Sequence, residues 1–300
     1  MSILTSLIKR NTKLYFKDKA MFFTSLITPL ILLVLYGTFL SKVFEDSFRG
    51  ALSAAGGTAT DELIGGCVGG VLASSLLAVC CVTVAFCSNM LMVQDKVTGA
   101  RRDLTISPVG KGTLALSYYI STLISTLIVC FVAMGICLLY ISSIGWYMTV
   151  SDVLLIMLDV FLLVMFGTAL SSIINHFLSS QGQISAVGTI ISAGYGFICG
   201  AYMPISQFDE GLQKVLSFLP GTYGTSLLKN HALRGVFEEM SSQKFPNEVI
   251  DGIKDSMDCN LYFFDNKVDT TTMYLILGGT VAVLIAGYII LNILHDKKQK

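Results

Sequence analysis

An all-α integral membrane protein, with six transmembrane helices, cytoplasmic termini and a small extracytoplasmic cap between spans five and six, is the fold class that this 300-residue sequence predicts. Three observations carry the prediction. First, five stretches (20–41, 63–94, 112–151, 160–208 and 270–294) contain no Asp, Glu, Lys or Arg. A bilayer core about 30 Å thick takes roughly 20 apolar residues as a helix, and a charge left inside it costs several kcal/mol. Second, the chain is 53% hydrophobic and 13% charged, with a mean hydropathy of +0.71, whereas soluble domains are about 25% charged. Third, Lys and Arg are distributed unevenly between the two sides that such a threading defines.

Residues 1–20 come first. Ile3, Leu4, Leu7, Ile8 and Leu14 recur near helical spacing, and Lys9, Lys13 and Lys17 form the opposite stripe. This is the pattern of an amphipathic helix on an anionic inner leaflet, and equally that of a plain basic flank. The following apolar stretch is too long, and lacks the small-residue site, for a cleaved signal peptide.

Two uncharged runs exceed one helix. The run 112–151 breaks at Ser142, Ser143, Gly145, Trp146 and Tyr147, small polar residues with interfacial aromatics. The run 160–208 breaks at Asn175, His176 and the polar stretch from Ser179 to Gln183. Six spans result, near 21–44, 64–93, 114–141, 151–174, 184–203 and 271–294. The domain order is therefore an N-terminal helix (1–20), spans one to five (21–205) with a cytoplasmic loop (94–113), an outer segment (206–270), and span six with a basic tail (271–300).

Orientation follows from basic flanks. The N-terminal segment, the loop after span two and the tail carry twelve basic residues against four acids, and the opposite side carries eight against fourteen. Both termini are thus expected in the cytoplasm. The outer segment begins with apolar residues at helical spacing, Leu212, Val215, Leu216, Phe218 and Leu219, followed by Pro220-Gly221, which suggests short helices dipping into the outer surface. It lacks an N-x-Ser/Thr acceptor, which fits a bacterial cytoplasmic membrane better than a secretory one.

Several chemistries are missing from the sequence. It has no G-x-x-x-x-G-K-[ST], no H-E-x-x-H and no G-x-S-x-G, and its three His (His176, His231, His295) are scattered. A nucleotide site, a zinc centre and a nucleophile elbow are thereby unsupported. Seven of the eight Cys lie in apolar runs, and only Cys259 does not. The zero formal net charge argues against a nucleic-acid partner. Asp159 is the one ionisable residue expected well inside a span; it reads either as a proton or cation relay, or as a carboxylate hydrogen-bonded by neighbouring Ser or Thr or reaching an outer vestibule.

The cytoplasmic loop from Gln94-Asp95-Lys96 through Arg101-Arg102-Asp103 to Ser107-Pro108-Val109, and Phe218-Leu219-Pro220-Gly221-Thr222-Tyr223 before span six, together with the six spans and basic N-terminus, resemble the ABC-2 type permease family, the membrane subunit of type V ABC exporters. The resemblance implies a transport subunit, not an enzyme. It implies a separate P-loop subunit that binds ATP and Mg, with no cofactor in this chain, and a second permease subunit, identical or not, in the bilayer. Residues 1–19 would form a connecting helix near the ATPase. Gln94, Asp95, Lys96, Arg101, Arg102 and Asp103 would dock the ATPase, in a piece bounded by Gly99 and Pro108. Gly65, Gly66, Gly69 and Gly70 on span two, and Gly188, Ser192, Gly196 and Gly200 on span five, are small-residue ladders suited to close helix contact, either inside one subunit or at a dimer interface. In the resembling family, spans two and five border the path, which implies Ser74, Thr83, Phe86, Asn89, Tyr195, Phe197 and Tyr202 as its lining. An apolar, aromatic lining with scattered hydroxyls suits export of a drug, lipid or lipopeptide. An ATP-independent carrier or channel using Asp159 is the alternative, and a membrane enzyme or scaffold is the third reading.

Overall fold

The computed structural model describes residues 2–54, 60–106, 109–264 and 266–297. Ser107, Pro108 and the end of the basic tail lie outside them. Almost all of the described chain is helix. Among the described residues the one sheet is an antiparallel hairpin, β1 (Leu261–Phe263) and β2 (Asn266–Val268), which pairs Leu261 with Val268 and Phe263 with Asn266.

The N-terminal helix α1 (Ile3–Lys17) is capped by Ser2 and ends at Asp18, whose carboxylate accepts from Met21 N to start α2 (Lys19–Leu35). A π turn over Tyr36–Leu40 joins α2 to α3 (Ser41–Ala54). The first membrane-length helix therefore runs over Lys19–Gly50, past the expected end at Phe44. The buried stripe of α1 is Leu7, Asn11 and Tyr15, one turn apart, while Ile3 and Leu14 are exposed. The apolar residues alone thus mislocate the packed face. Asn11 turns inward because Ser117 accepts from its Nδ2 at 3.4 Å.

The second span is α4 (Asp61–Asn89), which continues after Met90 as α5 (Leu91–Val97). It is buried along its length, with α2, α7 (Lys111–Ile144), α8 (Val150–Phe177) and α11 (Pro220–Ser242) around it. Its glycines make that crowding sterically feasible. A Cβ at Gly65 or Gly69 would meet Ile144, one at Gly66 would meet Tyr147, and one at Gly70 would meet Leu233. All four therefore face neighbours within this chain.

α8 starts on a reciprocal cap between Thr149 and Asp152, and α9 (Gln181–Ile198) on one between Ser180 and Gln183, each satisfying helix N–H groups that would otherwise lack partners. After α9 the chain turns at Gly200, whose φ of +73° favours glycine. It then passes through a 3₁₀ turn (Ile205–Gln207) and α10 (Glu210–Leu216) into α11, which begins on Pro220 as its first residue. α12 (Asn247–Ser256), the hairpin and α13 (Thr270–Lys297) complete the order.

Five of these helices are long and apolar enough to cross a membrane: Lys19–Gly50, Asp61–Val97, Lys111–Ile144, Val150–Phe177 and Thr270–Ile293. α9, where the fifth span was expected, is not one of them. Its eighteen residues give about 27 Å of helix, and Gln181, Gly182 and Gln183 lower its hydropathy at the start.

Candidate functional site

The loop expected on the cytoplasmic side is built from α5 and α6 (Ala100–Ile106), joined by Gly99 with φ +84°, a backbone conformation that favours glycine. Within it the six expected docking residues separate into two groups. Asp95 is buried; its Oδ2 accepts from Arg10 Nη1 at 2.7 Å and Tyr118 OH at 2.5 Å, and its Oδ1 from Arg10 Nη2 at 3.1 Å. This carboxylate ties α1, α5 and α7 together. Lys96 Nζ donates to the carbonyls of Asn175 (3.1 Å), His176 (2.8 Å) and Leu178 (3.0 Å), closing the C-terminus of α8, where the helix dipole favours a cation. Both residues are thus internal struts. Arg102 and Asp103 are exposed, and Arg101 and Gln94 are partly so. The Asp95 contact also holds the Arg10 guanidinium above its ordinary pKa.

A groove runs between α2 and α9. Its inner part, a cleft of about 560 Å³, extends from Asp18, Gln94 and Gln181 past Thr24, Met90 and Gly188. Its outer part, about 660 Å³, is lined by Phe39, Phe44, Phe197, Tyr202 and Met257. Ile31, Ser192 and Ala193 border both, and Thr28 Oγ1 donates to Ser192 O at 3.2 Å across the narrowing.

The structure distributes the seven expected lining residues unequally. Phe197 and Tyr202, with ring centroids 5.1 Å apart, face the outer cleft. Ser74, Thr83, Phe86 and Asn89 are buried in α4: Ser74 donates to Gly70 O, Thr83 to Val79 O, and Asn89 to the hydroxyls of Ser171 and Ser172. Tyr195 is buried with its hydroxyl directed at Gly221. Those five are buried in the packing of this chain and line neither cleft. The α9 ladder is likewise occupied from within, since Gly188 faces Met90, Gly196 faces the Tyr202 ring, Ser192 holds Thr28, and Gly200 lies against Asp258.

Asp159 has partners that the sequence reading did not supply. Its Oδ2 lies 2.6 Å from His231 Nδ1, and its Oδ1 accepts from Tyr274 OH at 2.6 Å. His231 belongs to a set of three basic side chains on α11. Lys229 Nζ donates to Gly200 O at 2.9 Å and lies 3.4 Å from Asp258 Oδ2, and Arg234 Nε pairs with Asp152 Oδ1 at 2.6 Å. α11 is thus fastened to α8 by His231 and Arg234 and to the cap by Lys229, while Tyr274 ties α13 to the same Asp159 on α8. The available signal was three basic residues set among Leu227, Leu228, Ala232 and Leu233, in a helix whose apolar content demands burial.

The sequence profile of the ABC-2 type transporter family matches residues 3–230, from the start of α1 into α11. The chain belongs to that family. Neither a curated protein nor a solved structure matches it. As an ABC-2 type transporter chain it is a multi-pass membrane permease, and the family's membrane subunit carries no nucleotide-binding domain of its own. The matched region of this ABC-2 chain includes the α5–α6 edge and both helices that border the groove.

Proposed function

We propose that this chain is the membrane half of an ATP-driven exporter that moves an amphiphile, such as a drug, lipid or lipopeptide, along the α2–α9 groove. The observation that carries the reading is that the two clefts, which share Ile31, Ser192 and Ala193, together reach from Gln94 and Gln181 at one end to Gln207 and Ser256 at the other. Its wall is apolar and aromatic, with hydroxyls at Thr24, Thr28 and Thr189, which suits a substrate with a long apolar part and few polar groups. A second permease subunit, identical or not, covers the open side of the groove, and α9 serves as the fifth of six spans, which returns both termini to the cytoplasm.

A separate P-loop subunit binds ATP and Mg and docks on α6, with Arg101, Arg102 and Asp103 supplying charge-assisted contacts. Arg10, Asp95 and Lys96 carry its motion into α1, α7 and α8, because each joins two elements through short polar contacts. The membrane is the cytoplasmic membrane of a bacterium.

Co-purification from the native host tests the proposal. A P-loop ATPase comes down with the wild type and is lost from Arg101→Glu/Arg102→Glu. In reconstituted vesicles, Ala193→Trp, placed where the two clefts meet, blocks nucleotide-dependent export of lipophilic compounds without loss of the ATPase. Export of a charged polysaccharide, with indifference to lipophiles, rejects the substrate class.

The second reading, an ATP-independent carrier, is favoured by the Asp159–His231–Tyr274 cluster, whose groups are able to hold and pass a proton. Full-rate transport by the chain alone, without nucleotide and abolished in Asp159→Asn, selects it.

A further inference from the structure

The extracytoplasmic cap encloses a cavity of about 280 Å³ between α10, the start of α11 and the segment from Asp255 to Tyr262. Two carboxylates line it, in different electrostatic states. Asp258 is neutralised: its Oδ2 accepts from Ile205 N at 2.7 Å and faces Lys229 Nζ at 3.4 Å, and its Oδ1 accepts from Ser206 N at 3.2 Å. Asp255 receives only neutral donors, both on Oδ1, from Asn260 Nδ2 at 2.8 Å and Tyr262 OH at 3.0 Å. Among the described residues, no Lys or Arg pairs with it. Lys254, its chain neighbour, lies over the Phe237 ring 5.2 Å from the centroid instead. The half-buried cavity therefore presents one uncompensated negative charge beside the ring of Tyr262.

The cavity is bordered by an apolar surface. Ser217 and Tyr262 line it, and the next residues in sequence, Phe218 and Phe263, meet Phe264 in an exposed aromatic cluster. Phe218 lies 5.2 Å from Phe263 and 5.9 Å from Phe264, and Phe263 lies 4.9 Å from Phe264, centroid to centroid. Val215, one turn earlier on α10, is also exposed. Three mutually touching, exposed phenylalanines are a contiguous patch of the kind that marks a binding surface, unlike scattered single apolar residues.

We propose that the cap binds a net-cationic amphiphile, its ammonium head in the cavity against Asp255 and Tyr262 and its alkyl chain across Phe218, Phe263 and Phe264. A cation satisfies Asp255 and is attracted to the aromatic face, and the chain removes the phenylalanines from water. An anionic head meets the Asp255 carboxylate unfavourably, and a zwitterionic phosphate–ammonium head brings its phosphate beside a wall that, among the described residues, holds no Lys or Arg; the nearby Lys229 is buried behind Asp258 and engaged with it. The site is separate from the groove and does not depend on the transport reading.

Calorimetric titration of the whole protein in lipid nanodiscs, with empty nanodiscs as blank, tests the proposal. Hexyltrimethylammonium is short enough to stay out of the bilayer. It should bind saturably, one per chain, while hexanoate and hexanol give no saturable heat. Asp255→Asn, whose amide oxygen still accepts from Asn260 and Tyr262, should weaken binding roughly tenfold without lowering the unfolding temperature. Glu238→Gln, about four turns further along α11 than the cavity-lining Tyr223, should leave binding unchanged. Phe218→Ser/Phe264→Ser should weaken hexyltrimethylammonium but not tetramethylammonium. Equal binding by Asp255→Asn, an equal loss in Glu238→Gln, or hexanol binding as well as the cation overturns the proposal. None of these outcomes bears on export, which is read with ATP in vesicles.

Discussion

His231 Nδ1 and Asp159 Oδ2 lie 2.6 Å apart although one residue is on α11 and the other on α8, seventy-two positions earlier. Asp159 is wholly buried and His231 nearly so. Removing one partner of such a pair leaves a buried polar group unmet. His231→Ala is therefore expected to cost about 1–3 kcal/mol, read as a lower unfolding temperature in detergent. Replacing both partners by apolar residues, Asp159→Leu/His231→Leu, should cost less than the sum of the two single changes, because neither leaves the other unmet. Purely additive losses would show that the two side chains do not interact.

Arg10 and Asp95 predict a coupling of the same kind, weaker because Arg10 is 31% exposed at its side chain. Arg10→Ala should cost about 1–2 kcal/mol and loosen α1 from α7, seen as faster amide exchange along α1. The folded-state pKa of Arg10 is raised by the Asp95 hydrogen bond, so its contribution is complete below the unfolded arginine value and fades only as pH rises through the higher folded one. The difference between wild type and Arg10→Ala should accordingly be flat between about pH 6 and 9. A difference that shrinks within that window would contradict the assignment.

Gly235 and Gly135 should respond oppositely to alanine. A Cβ at Gly235 would collide with the Tyr147 carbonyl, whereas nothing lies within 4 Å of one at Gly135 in α7. Gly235→Ala is expected to destabilise by about 1–3 kcal/mol, and Gly135→Ala to be neutral or stabilising by up to about 1 kcal/mol through helix propensity. Equal unfolding temperatures for the two variants would refute this packing.

Cysteine labelling gives a third kind of check. All eight Cys are buried and free, and burial pushes the Cys259 thiol up to about 12 from an ordinary value of 9.0. A maleimide at pH 8 should leave the folded protein unlabelled and modify it fully in denaturant. Because the folded value is the higher one, the stabilisation is complete below about pH 9 and is lost as pH rises toward 12. Cys259→Ala should then flatten the alkaline decline in stability; an unchanged decline would assign it elsewhere.

The spans were legible because hydrophobicity over about 20 residues is a local property, read without neighbours. The breaks after Ile144 and Phe177 were legible for the same reason, since Gly145 and Ser180 are turn and cap residues in their own right. α9 was harder to read: its polar start and the bend at Gly200 leave it short of a full span. Family resemblance and polarity mark the loop from Gln94 to Asp103 as a docking element but do not separate exposed Arg102 from buried Asp95, whose partners Arg10 and Tyr118 lie 85 and 23 positions away.

By itself, then, the sequence determined that the chain lives in a membrane as a bundle of helices, that it resembles an ABC-2 permease, and roughly where the membrane-length helices lie. Each of these follows from composition or from neighbours along the chain. Only the tertiary structure decided that α4 is enclosed by its neighbours, that the open groove lies between α2 and α9, and that Asp159 has His231 and Tyr274 for partners. Those facts depend on which helix faces meet, and residues such as Ser74 or Thr83 are equally suited to core and to wall until the neighbouring helices are in place.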